Sequence, residues 1–171
     1  KRALSQAARP EMEALARETG ESVNLAVPLG REALYLDQVE GTKLVRLFTA
    51  PGSRAPLHAT GVGKVFLAYL GVPEGLSLTP YTPHTLTRLP DLLRELEAVR
   101  GRGYALDNEE KELGVRCVAA PVFGASGGVV AALSLSAPAS RLSLEEAHRL
   151  APRVVEAARR ASLRLGYTGE V

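Results

Sequence analysis

The chain of 171 residues is 46% hydrophobic and 23% charged, ordinary usage for one folded domain over residues 1–171, which sets aside a disordered chain. Its net charge is only +2, with cations scattered among nearly as many acids, so no basic stripe marks a direct nucleic-acid surface. No apolar run approaches the roughly 20 residues that span a bilayer, and the single cysteine, Cys117, excludes an internal disulfide and a paired-cysteine metal site. The expectation is a cytoplasmic chain with no membrane, metal or cofactor, and its start at Lys1 leaves room for a segment in front.

Leu4, Ala8, Met12 and Leu15 recur at helical spacing and predict an opening helix from Leu4 to Arg17, stopped at Gly20. "SVNLAVPL" and "ALYLDQVE" alternate on either side of Gly30, Arg31 and Glu32 and predict a β-hairpin. "KLVRLFT", residues 43–49, reads as a third strand after the turn signal Glu40-Gly41. Residues 51–59 hold prolines and a glycine and read as irregular. A helix begins near Thr60, with Val62, Val65, Phe66, Tyr69 and Leu70 on one face.

Residues 73–83 are again irregular, and the connection over 71–88 has the length of a small lid. "LPDLLRELEAVRGRG" predicts a helix with Pro90 in its first turn, Leu92, Leu93, Leu96 and Val99 as its stripe and Gly103 as its cap. "VRCVAAPVF" and "GVVAALSLSA", joined by "GASG", predict an antiparallel pair. Ser143 and Glu146 form a capping box for a last helix reaching Gly166, which Pro152 is expected to kink or split. The element order gives an α+β class, a sheet covered by helices.

Four places carry possible chemistry. Gly63-Lys64 is not a nucleotide-phosphate loop: that motif needs a glycine where His58 stands and a hydroxyl where Val65 stands. The start of the 60s helix nonetheless offers free backbone N–H groups to an anion, unless Gly61 and Gly63 serve only close helix-on-sheet packing. Cys117 shares a strand face with Val115 and Ala119 and reads as a small buried hydrophobe, since no base is marked beside it. Ser134 and Ser136 share one face of "ALSLS", either inward, where they need partners, or outward to water. Asp107 ends the strand-like "GYAL" and can project over a pocket, whereas Asn108, Glu109 and Glu110 read as a solvated acidic turn.

Taken together, "PLHATGVGKVFLAYL", "YTPHTLT" and "RGYALDNEEKELGVRCVAAPVFGASGGVVAALSLSAPASRL" closely resemble the ligand-sensing domain of the IclR family of bacterial transcription regulators, over nearly the whole chain. The resemblance implies a GAF-like fold, a curved antiparallel sheet of about six strands with helices on both sides. It implies an N-terminal winged helix-turn-helix, absent from this chain, that binds operator DNA, and association into homodimers or homotetramers.

It also implies an effector pocket between the sheet and the helix start. By this carry-over, Gly61 and Val62 present backbone N–H groups, and Asp107, Val115, Cys117, Ser134 and Ser136 line the pocket. Leu44, Leu47 and Ala55 form its apolar wall. Val62 stands where many relatives resemble Ala, and Asn108 replaces a more usual second Asp. A helix N-terminus and two hydroxyls suit a carboxylate, and Asp107 suits a hydroxyl or must be protonated, so the expected effector is a small organic acid bearing a hydroxyl or carbonyl. Two other classes stand beside this one: a hydrolase or transferase using Cys117, and a structural oligomerisation module that binds no small molecule.

Overall fold

A computed structural model describes residues 2–43 and 50–169. The elements in chain order are α1 (Arg2–Thr19), β1 (Ser22–Leu29), β2 (Glu32–Val39), β3 (Arg54–Pro56), α2 (Gly61–Leu70), α3 (Leu89–Arg102), β4 (Ala105–Asn108), β5 (Val115–Phe123), β6 (Val129–Pro138) and α4 (Leu144–Arg164). The strands form one curled sheet of six in the order β3-β2-β1-β6-β5-β4. Every pairing is antiparallel. The α+β class and the helix-covered sheet agree with the sequence pattern.

Strand alternation sends side chains to two different cores. On one face, Val23, Leu25, Val118, Ala120, Leu133 and Leu135 pack with Leu4, Met12 and Leu15 of α1 and Ala151, Val154 and Ala158 of α4. On the other, Ala26, Ala105, Ala119 and Ala132 pack with Val62, Val65 and Phe66 of α2 and Leu92, Leu96 and Val99 of α3. The second face is lined by alanines, so α2 can lie close to the sheet.

Three expectations are corrected. The residues expected to form the third strand, apart from Lys43, fall outside the described residues, and β3 lies in the stretch read as irregular. Its register, Ala33 beside Ala55 and Glu32 beside Pro56, puts Pro56 at the sheet edge, where a residue without an N–H is tolerated. Pro152 does not split α4: Ala151 and Val154 on either side of it are fully buried in the same core, and that continuous apolar face holds the helix together. Leu70, expected on one helical face with Val62, Val65, Phe66 and Tyr69, is 51% exposed at the end of α2, where the Gly71 N–H donates to the Leu67 carbonyl.

Candidate functional site

The start of α2 is fixed from both sides. Thr60 caps it, its Oγ1 accepting from the Gly63 N–H at 3.1 Å and donating to the Pro56 carbonyl at 2.8 Å. A Cβ on Gly63 would lie 2.4 Å from the Leu57 backbone, and one on Gly61 would lie 3.1 Å from the Ala119 side chain. Both glycines therefore have a packing reason: Gly61 lets the first turn of α2 lie close on β5, and Gly63 lets it pass close to the Leu57 main chain.

Across the sheet from that turn, three polar side chains stand abreast. Asp107 on β4 is paired with Cys117 on β5, which is paired with Ser136 on β6. Cys117 Sγ lies 3.1 Å from Ser136 Oγ, which also accepts from Asn24 Nδ2 at 3.3 Å. Ser134, two residues back on the same face, is 3% exposed, and its hydroxyl has no hydrogen-bond partner among the described residues. Both serines face α2, which resolves the choice between inward and outward.

A cavity of about 100 Å³ opens over this row, lined by Asp107, Cys117, Ser136, Val115, Ala55, Thr60 and Tyr35, with Arg54, Lys111 and Glu112 also in its wall. Of the residues anticipated from sequence, Ala55, Asp107, Val115, Cys117 and Ser136 thus come together. Ser134 is buried beside them, Gly61 and Val62 pack in the first turn of α2 with the Val62 side chain in the core, and Leu44 and Leu47 lie outside the described residues.

Burial governs the protonation of the row. Asp107 is pushed up to about 7, first by desolvation and then by the neighbouring Glu110, against the pull of the Glu110 and Lys111 N–H groups and of Lys64. Near neutral pH it is divided between carboxyl and carboxylate. Burial likewise raises Cys117 well above an ordinary thiol, so it is a poor nucleophile.

The acidic turn is not wholly solvated, because Glu110 is 7% exposed. Its carboxylate takes the Lys64 ammonium at 2.9 and 3.1 Å and the Asn108 N–H at 3.0 Å. Lys64, wholly buried, also reaches Glu95 at 3.5 Å, and Glu95 accepts from Arg102 at 3.0 Å. The lysine of the Gly-Lys pair therefore ties α2 to the acidic turn and to α3. Thr82 and Thr85, inside the connection expected to form a lid, donate to the Glu109 and Glu110 carbonyls at 2.7 and 2.6 Å. One signal in the sequence pointed to this pairing: a single cation inside an otherwise apolar ten-residue helix needs a buried acid.

A hollow with a few convergent polar groups between a sheet and a helix start is the frame of a small-molecule-binding domain. The family profile described as bacterial transcriptional regulator IclR C-terminal matches residues 1–163. The HTH-type transcriptional regulator BhcR of Paracoccus denitrificans is 39% identical over 165 residues, covering 93% of this chain and 59% of its own. The crystal structure of the Thermotoga maritima IclR has a TM-score of 0.88 and 36% identity, covering 96% of this chain and 69% of that one. The inducer-binding domain of PobR from Acinetobacter, a double mutant in complex with 3-hydroxybenzoic acid, has a TM-score of 0.83 and 27% identity, covering 92% of this chain and 96% of that one.

The chain belongs to the IclR family, as its C-terminal effector-binding domain. Members of that family are transcription regulators rather than enzymes. The chain spans about half to two thirds of the length of the curated relatives it matches. Among the described residues, no helix is long and apolar enough to cross a membrane, and no cluster of His, Cys, Asp or Glu could hold a metal ion.

Proposed function

We propose that this domain senses a small organic acid bearing a hydroxyl or carbonyl, and that the acid alters operator binding by a winged helix-turn-helix carried on the same polypeptide. The observation behind the reading is the juxtaposition of Ser136 and the unpartnered Ser134 hydroxyl with the first turn of α2. An anion placed there meets helix N–H groups and hydroxyl donors together. Gly61 and Val62 supply the amides, Ser134 and Ser136 the hydroxyls, and Ala55 an apolar wall with Val115 and Cys117. Asp107, when protonated, donates to the ligand's other oxygen. The PobR domain with its hydroxy acid makes the ligand class reasonable for this fold.

Binding shifts the regulator only by the difference in affinity between its two arrangements, and association of two or four copies gives those arrangements a geometry. Thermal-shift screening of hydroxy-, oxo- and aromatic acids tests the reading. At least one acid raises the melting temperature, and the Ser134→Ala/Ser136→Ala variant loses the shift. No stabilisation by any of them, or an unchanged shift in the variant, overturns it.

A further inference from the structure

One aromatic side chain stands in the cavity wall. Tyr35 stands on the α2-facing side of β2, is 8% exposed, and lines the same cavity as Asp107, Cys117 and Ser136. Its backbone is pinned, the N–H donating to the Ser53 carbonyl at 2.9 Å and the carbonyl accepting from Gly52 at 2.8 Å. Its neighbours on that face are Ala26 across the ladder to β1, Ala33 on its own strand and Ala55 on β3. The ring thus stands among alanines on this part of the sheet, on a backbone fixed by main-chain bonds.

The Tyr35 hydroxyl has no hydrogen-bond partner among the described residues, and since no buried side-chain polar atom among them is left without one, its oxygen keeps accessible surface where the residue lines the cavity. Its surroundings, burial first and then Cys117 and Asp107, hold it far above an ordinary phenol's titration range. It is therefore always a donor, never a phenolate that would repel an anion. The cavity beside it is about 100 Å³, whereas an apolar cavity that accepts benzene measures about 150 Å³.

Resting on the sensing role proposed above, we propose that Tyr35 determines which acid this domain accepts: its ring limits the ligand to compact acids of about two to four carbons, and its hydroxyl donates to a ligand oxygen. An aromatic acid meets the Tyr35 ring where a short oxo or hydroxy acid meets only its hydroxyl. Specificity of this kind, a waiting donor plus a steric stop, rejects ligands lacking the matching oxygen more strongly than shape alone would.

Isothermal titration of pyruvate, L-lactate, glycolate and 3-hydroxybenzoate into wild type, Tyr35→Phe and Tyr35→Ala tests this. Wild type takes at least one short acid more tightly than 3-hydroxybenzoate. Tyr35→Phe, which keeps the ring and the fold, weakens that short acid by about tenfold, the worth of one hydrogen bond to a charged ligand. Tyr35→Ala reverses the preference toward 3-hydroxybenzoate. Tightest wild-type binding of 3-hydroxybenzoate, or an unchanged short-acid affinity in Tyr35→Phe, overturns the Tyr35 proposal while leaving the sensing role standing. Binding of none of the four acids by wild type overturns the Tyr35 proposal, and the sensing role falls with it only if no acid of the wider thermal-shift screen stabilises the domain.

Discussion

The two faces of the sheet obey opposite rules. Against α1 and α4, the strands present Val23, Leu25, Val118, Leu133 and Leu135, and the core is closed and apolar. Against α2 and α3, alternate residues of the sheet present Asn24, Asp107, Cys117, Ser134 and Ser136, and a cavity opens over Asp107, Cys117 and Ser136. One face supplies stability through burial, and the other gives up apolar contact for polar groups gathered beside a cavity. A sensor needs both, because a hollow lined by hydroxyls and a half-protonated acid keeps its shape only if the opposite face is rigid.

The contrast can be broken most sharply at Lys64. Replacing it with Met strands Glu110 inside the protein, and urea denaturation should show a loss of about 3–5 kcal/mol. The double variant Lys64→Met/Glu110→Leu recovers much of that loss, since no buried charge is then unpaired. On the opposite face, Leu135→Ala should cost about 2–5 kcal/mol by the same measurement while leaving acid binding intact.

Asp107 separates the faces by pH. Its native value of about 7 lies above the ordinary 3.8, so the folded state binds the extra proton. The stability this contributes is fully present below about pH 4 and is lost as pH rises through about 7. Carboxylate affinity falls over the upper part of the same range, as the site gains a negative charge. Asp107→Asn flattens both profiles, measured by denaturation and by titration at successive pH values. The smallest stability effect belongs to Ser134→Ala: with no partner to lose, the hydroxyl's removal changes stability by at most about 1 kcal/mol, yet it weakens acid binding measured by calorimetry.

The framework was legible in the sequence because its signals are local. The capping box at Ser143, Gly103 as the cap of α3 and the alternation in β5 and β6 each fix an element from a few neighbouring residues. The serine face was legible as a pair but not as a direction, since alternation names two faces without saying which is covered. Lys64 with Glu110 and Tyr35 beside Asp107 join residues 46 and 72 positions apart, a proximity that only the packing of α2 and the curl of the sheet create. Pro152 and β3 show the converse: local signals for a break lost to a continuous buried face and to an available sheet edge.

The most direct measurement is amide chemical-shift mapping of the isotope-labelled domain during titration with whichever screened acid stabilises it. Saturable shifts should centre on Gly61, Val62, Asp107, Cys117, Ser134 and Ser136, with the residues of α1 and α4 nearly still. Shifts centred on α1 and α4, with the first turn of α2 unmoved, would contradict the account.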